Sequence, residues 1–137
     1  MTRPLYHLKG VEMEKKKILM VDDEPRVLYT VKNGLELIDE TFEVKTVHSG
    51  MECFEELKQY KPDLILLDIN MPEMSGWLVY DKIRDNEQWT KIPIIFLTAR
   101  TDQIAKNFGG FMAEDFIEKP VDIKELKKRV EQLINQE

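Results

Sequence analysis

The sequence predicts a single doubly wound α/β domain, with a five-stranded parallel sheet and a helix after every strand. Three observations carry this. Unbroken apolar runs occur at Ile18-Leu19-Met20-Val21, Leu64-Ile65-Leu66-Leu67 and Ile94-Ile95-Phe96-Leu97, and runs of that length fit strands buried on both faces. The segments between them place apolar residues at three- and four-residue spacing, the period of a helix with one buried face. Each run also stops at a chemically useful residue: the pair Asp22-Asp23, Asp68 and Thr98. In an open parallel sheet the carboxyl ends of the strands face one crevice, where such folds hold ligands, so these groups converge.

Residues 1–14 mix Pro4, Gly10 and charges with scattered Leu5, Tyr6 and Leu8 and keep no period. They read as a flexible arm ahead of a domain over residues 15–137, with Met13 a second candidate start. The first strand is expected over 17–21. A helix follows from about Pro25 to Ile38 and buries Leu28, Val31, Leu35 and Ile38; Pro suits a first turn, where its missing N–H would lack a partner anyway. A strand over 42–47 leads to a helix over 50–60, opened by Ser49 with Glu52 three residues on, a capping box. The strand over 63–67 ends at Asp68. Ile69 to Gly76 holds Pro72 and Gly76 where the chain must turn, before a helix from Trp77 to Arg84. Ile92-Pro93 opens the strand over 92–97, since proline is tolerated at a strand's start. A weaker helix spans about 102–108 and stops at Gly109-Gly110. A strand over 115–118 then leads to the last helix, Asp122 to Ile134, with Ile123, Leu126, Val130, Leu133 and Ile134 on one face.

At 137 residues and 42% hydrophobic content the chain suits one core. Lys+Arg 20 against Asp+Glu 26 gives a net charge of −6, a field that does not favour nucleic-acid phosphates. The basic runs Lys15-Lys16-Lys17 and Lys127-Lys128-Arg129 read as solvated faces. Cys53 is the only cysteine and cannot form an internal disulfide; its helical phase with Met51, Phe54 and Leu57 reads as a small core or half-buried residue. No stretch suits a signal peptide or a membrane span. The expectation is a cytoplasmic protein with neither membrane insertion nor direct nucleic-acid contact.

The residues at the strand ends specify a chemistry. Two carboxylates in one pocket repel each other unless a cation neutralises them. Oxygen ligands from Asp23 and Asp68, with a loop carbonyl after Asp68 and waters, suit Mg²⁺, with Mn²⁺ a possible substitute; without His or Cys the set disfavours zinc. Asp68 can also act as a nucleophile, because a carboxylate that attacks phosphorus gives an aspartyl-phosphate. Phosphoryl transfer asks mainly for positioning and charge neutralisation. Lys119, just past Phe116-Ile117, and the Thr98 hydroxyl would each meet a phosphoryl oxygen. Each residue alone has an ordinary explanation. An Asp here caps the next helix, Lys119 pairs with Asp122 or Glu118, and Thr98 is a strand residue. Their agreement in position favours the site. Lys119 also precedes Pro120, which makes that bond a candidate for cis geometry.

The stretches Lys17 to Pro25, Pro62 to Pro72, Gly76, Pro93 to Ala99 and Lys119-Pro120 stand in order over residues 16–135. Together they resemble a response-regulator receiver domain, of the kind found alone in chemotaxis-type regulators. The resemblance implies a flavodoxin-like fold and a phosphorylation-dependent switch of a two-component or phosphorelay system. By it Asp68 is the phosphoacceptor, Asp22 and Asp23 the acidic pair, and the backbone carbonyl of Asn70 a metal ligand. Lys119 contacts the phosphoryl group. Thr98 swings toward it, and Phe116 is the switch aromatic that turns inward. The implied donor is a sensor histidine kinase or a histidine phosphotransfer protein, and output is expected through a partner protein not named by the sequence, a second phosphotransfer step or feedback on the kinase. Asn70 and Arg100 occupy places that influence how long the phosphoryl group survives.

Departures from the family's pattern fall between Thr98 and Lys119. That interval is about one residue short, and Met112-Ala113-Glu114-Asp115 replaces a Gly-Ala pair. This touches the fourth helix and the family's habit of dimerising through it, not the acidic site. The chain reads as a stand-alone receiver and not a conventional enzyme, since it catalyses only its own phosphoryl transfer and loss. One alternative is a receiver-like interaction scaffold that is never phosphorylated, against which the intact Asp22, Asp23, Asp68, Thr98 and Lys119 argue. Another is an aspartate-nucleophile phosphatase of the haloacid-dehalogenase kind, but Asn70 stands where such enzymes carry a second Asp. Nucleotide-binding glycine motifs are missing. His7 and His48 have no second ligand nearby in sequence, and Trp77 and Trp89 read as packing residues around the third helix.

Overall fold

Leu5–Leu8 (β1) and Val11–Glu14 (β2) pair antiparallel, with Tyr6 opposite Met13 and Leu8 opposite Val11. The sequence reading expected no regular element there. Val11-Glu12-Met13-Glu14 does alternate apolar and acidic residues, but four residues are too few to register as a period. The computed structural model of the chain describes residues 5–8, 11–99 and 115–135. The helix expected over about 102–108, the Gly109-Gly110 stop, most of the altered spacing and Arg100 lie outside the described residues.

The main sheet contains Lys16–Val21 (β3), Phe42–Val47 (β4), Leu64–Asp68 (β5), Ile94–Thr98 (β6) and Asp115–Glu118 (β7). All five are parallel, in the order β4-β3-β5-β6-β7. The three central strands are the three apolar runs, and from Ile18 to Val21 and throughout β5 and β6 every residue is buried. Their side chains alternate between two cores. Leu19, Val21, Ile65, Leu67, Ile94 and Phe96 face one side, and Ile18, Met20, Leu64, Leu66, Ile95 and Leu97 the other.

Helices cover both faces. Pro25–Ile38 (α1) packs Leu28, Val31 and Leu35 into the second core, while Ile38 in its last turn is 40% exposed, contrary to expectation. Gly50–Leu57 (α2) and Gly76–Arg84 (α3) pack Cys53, Leu57, Val79 and Ile83 into the first. Ile123–Ile134 (α4) returns to the second with Leu126 and Val130, and Ile123, Leu133 and Ile134 are half-buried against it. Burial pushes the Cys53 thiol up to about 12, as befits an inert core residue. Among the described residues no helix is long and apolar enough to cross a membrane.

Two contacts fix α1. A Cβ on Gly34 would lie 2.7 Å from Ile123 Cγ1, so glycine lets the first residue of α4 seat against mid-helix without displacing its side chain. At the sheet edge, Glu36 Oε2 accepts from Val44 N–H at 2.8 Å and Lys32 Nζ donates to Val44 carbonyl at 2.7 Å. This pair saturates polar backbone that a flanking strand would otherwise use.

Candidate functional site

The site lies where β3, β5 and β7 end. Asp22 follows the last residue of β3, and its N–H donates to Val47 carbonyl at 3.2 Å, which carries the ladder one residue further. Its side chain is fully buried. Asp22 Oδ1 accepts from Glu24 N–H at 2.9 Å and so performs a capping task; Glu24, at the N-cap of α1, makes no side-chain cap bond. Asp22 Oδ2 has no aligned hydrogen-bond donor, although Lys119 Nζ stands 2.9 Å away. We read that contact as Coulombic attraction without good hydrogen-bond geometry.

Asp68 closes β5 and is 3% exposed. Lys119 Nζ donates to its Oδ1 at 3.0 Å and lies 3.7 Å from Glu24. The lysine is placed by its backbone: its N–H donates to Thr98 carbonyl at 2.8 Å, past the end of β7. The Lys119-Pro120 bond is cis, the geometry for which the sequence made it a candidate. The structure thus pairs Lys119 with two acids from other strands rather than with Asp122 or Glu118. Half-buried Asp23 completes the group, and one carboxylate oxygen from each of Asp22, Asp23 and Asp68 lies within 4.8 Å of the others.

Electrostatics follow from burial. Burial, then the charge of Asp22, pushes Asp68 up to about 6 from the ordinary 3.8, against the pull of Lys119. Burial likewise raises Asp22, opposed by the Glu24 N–H and by Lys119. For Lys119 burial disfavours the ammonium, but the Asp22 and Asp68 carboxylates beside it outweigh this and hold it above its ordinary value. The Asp22, Asp23 and Asp68 carboxylates, with exposed Glu24 at the rim, outnumber the single Lys119 ammonium, so the site carries an excess of negative charge that favours a cation. The all-oxygen donor set and the orphaned Asp22 Oδ2 fit a hard cation.

The other predicted site residues lie on the neighbouring strands and on the loop after Asp68. Thr98 is fully buried at the end of β6, and its Oγ1 donates to Ala99 carbonyl at 3.2 Å. Asn70 is exposed, two residues beyond Asp68. Phe116 is half-buried, with its ring 5.4 Å from Phe96 and 6.4 Å from Trp77. Trp77 packs on Phe96 at 4.7 Å and Trp89 stacks with Phe54 at 6.1 Å. His48 is exposed beside Glu52, at 3.4 Å. Glu52 completes only half of the expected capping box: Ser49 Oγ accepts from Glu52 N–H, but Glu52 Oε1 turns to His48 N–H at 2.8 Å instead of to Ser49.

Sequence reasoning missed the roles of two glycines here. Gly76 N–H donates to Ile69 carbonyl at 2.8 Å, and a Cβ on Gly76 would lie 2.3 Å from Asp68 carbonyl oxygen. A Cβ on Gly50 would lie 2.7 Å from both Met74 Sδ and Val79 Cγ2. Gly76 stood out only as a turn residue and Gly50 only as a helix start. Their packing partners are distant in sequence.

Comparison with known proteins bears on the family and the fold. The model of a family described as a response regulator receiver domain matches residues 18–131. A Vibrio cholerae protein bearing the name of a cyclic di-GMP phosphodiesterase is 38% identical over 127 residues, which cover 92% of this chain and 28% of that protein. A DNA-binding dual master transcriptional regulator, RpaA of Synechocystis sp., is 33% identical over 86% of this chain and 48% of its own length. The chain therefore spans under half of either relative. Among solved structures, the Vibrio cholerae chemotaxis protein CheY4 superimposes with a TM-score of 0.77 at 29% identity, covering 87% of this chain and 98% of that one.

Proposed function

Because the chain belongs to the response regulator receiver family, we propose that it is a phosphorylation-dependent switch in which Asp68 accepts a phosphoryl group from a phosphohistidine. The observation that carries the reading is the single Lys119 ammonium set between the buried Asp22 and Asp68, beside Asp23. Lys119 binds Asp68 Oδ1 and orients the carboxylate, leaving the second oxygen as nucleophile. That oxygen bonds to phosphorus as the phosphorus–nitrogen bond of the donor breaks, and the imidazole leaves with the electron pair. Lys119 then has a phosphoryl oxygen within reach of the place its carboxylate partner held. Asp22, Asp23 and Asp68, with the Asn70 carbonyl, would hold Mg²⁺, with Mn²⁺ as substitute; bound there, the ion supplies charge neutralisation for the incoming oxygens. Thr98 on the neighbouring strand would meet a further oxygen, and Phe116 would follow it inward.

The partners in this reading are a sensor histidine kinase or phosphotransfer protein and an output protein, with no direct nucleic-acid contact by this domain. The domain is a switch rather than a conventional enzyme. Incubation with acetyl phosphate and Mg²⁺, followed by intact mass, tests it. Wild type gains one labile phosphoryl group, Asp68→Asn gains none, and Lys119→Ala folds but gains little. Well-folded wild type that stays unmodified would refute the switch, and rapid turnover of assorted phosphomonoesters would make the protein a phosphatase.

A further inference from the structure

The loop after Asp68 contains a backbone conformation that its residues do not favour. Glu73 has φ 69°, the left-handed region, where a side chain with a Cβ is strained. On either side of it, Met74 N–H donates to Pro72 carbonyl at 2.7 Å, a three-residue turn centred on Glu73. Turns of this kind with positive φ at the centre are rare and strained. Such a conformation persists only where its surroundings over-determine it, and these conformations gather at functional sites.

The surroundings here are specific. Met74, next after the strained residue, is half-buried against the first core. Its thioether fills the space above Gly50 at the start of α2, where even a methyl group would come within 2.7 Å of Sδ. Val79 of α3 closes the other side of the same notch, since a Cβ on Gly50 would also meet its Cγ2 at 2.7 Å. Beyond Met74, Ser75 Oγ caps α3 by accepting from Leu78 N–H, and Gly76 ties back to Ile69 and rests under the Asp68 carbonyl. The strained turn is thus pinned by Met74 on one side, and the loop it closes begins at Asp68 and contains Asn70.

We propose that Met74, seated over Gly50, is a positioning residue that holds the strained Glu73 turn closed and so presets Asp68 and the Asn70 carbonyl for a divalent cation. The inference rests on the receiver reading, which makes those groups metal ligands. Groups hydrogen-bonded to metal ligands are worth about 10- to 100-fold in affinity, and a packing support one step further out falls at the low end of that range. Their loss lets the loop relax, and the cation must then reorder it.

Calorimetric titration with Mg²⁺ alone tests this on wild type, Met74→Ala, Gly50→Ala, Glu73→Gly and the double variant Met74→Ala/Glu73→Gly. Met74→Ala weakens binding by about tenfold. Gly50→Ala, which expels the thioether from the opposite side, weakens it likewise. Glycine at 73 removes the strain, so the latch becomes dispensable and the double variant binds within about twofold of Glu73→Gly alone. Met74→Ala that melts earlier yet binds Mg²⁺ as tightly as wild type makes Met74 a packing residue only and overturns the proposal. So does a double variant as weak as Met74→Ala itself. Wild type that binds no Mg²⁺ sinks the proposed function and this inference together; wild type that binds, with unchanged variants, sinks this inference alone.

Discussion

Replacing Asp68 by asparagine should make the protein more stable near neutral pH. Asp68 is almost fully buried, and burial followed by the Asp22 charge lifts it from 3.8 to about 6. A carboxyl raised on folding binds its proton more tightly in the folded state. Below 3.8 both states are protonated and nothing is lost. Between 3.8 and about 6 the unfolded chain releases its proton first, so stability falls as pH rises, and above about 6 the cost is complete. At 1.36 kcal/mol per pH unit the gap amounts to about 3 kcal/mol, an upper figure because water entering the cleft screens part of it.

Asparagine has the shape of the protonated acid and cannot ionise, so Asp68→Asn escapes that cost. Urea unfolding followed by tryptophan fluorescence, without divalent cations, should show the variant about 2–3 kcal/mol more stable at about pH 7 and the gap closing by about pH 4. Adding Mg²⁺ should narrow the difference by stabilising wild type more than the variant, by the ordinary linkage of a ligand to the folded state. A variant of equal or lower stability at neutral pH, or a gap that ignores pH, would refute the claim that burial of this charge opposes folding.

Gly76→Ala should cost about 2–4 kcal/mol in the same unfolding assay, because the new methyl meets the Asp68-Ile69 backbone, which cannot swing aside as a side chain would; a loss under about 0.5 kcal/mol would show that the loop shifts freely. Its Cβ would stand 2.3 Å from Asp68 carbonyl oxygen and 2.8 Å from Ile69 Cα. Gly34→Ala would stabilise an ordinary exposed helix by about 1 kcal/mol, yet here it should destabilise, and Gly34→Ala/Ile123→Ala should be more stable than the sum of its singles. Simple additivity would mean that α1 and α4 slide apart at no cost.

How far the sequence discloses the molecule depends on which interactions decide each feature. Asp22, Asp68 and Lys119 could be brought together on paper because each lies at the end of a strand, and parallel strands aligned by their apolar runs must end side by side. The two cores were legible for the same reason. What stayed hidden was set by contacts between distant residues. Nothing around Pro72-Glu73-Met74 suggests a left-handed residue, since neither Gly nor Asn is there, and the notch at Gly50 exists only because Met74 and Val79 meet over it. Likewise Glu52 matches the capping-box pattern, but in the folded chain its carboxylate turns to His48 N–H. The short β1-β2 pair has too few residues to carry a period of its own.

Thr98 shows how a buried hydroxyl bonded to the adjacent backbone can still serve the proposed switch. A ligand or modification shifts a conformation only by the difference in its interactions with the two states. In the present state Thr98 Oγ1 spends its proton on Ala99 carbonyl at 3.2 Å, past the usual range for a hydroxyl donor, so that bond is worth no more than about 1 kcal/mol. A hydrogen bond to a phosphoryl oxygen on Asp68 would be charge-assisted and worth about 1.5–3 kcal/mol. The balance favours reorientation once the charge arrives and opposes it before. In that proposal the ring of Phe116, half-buried against Phe96 on the same strand as Thr98, is the neighbour that would follow the movement.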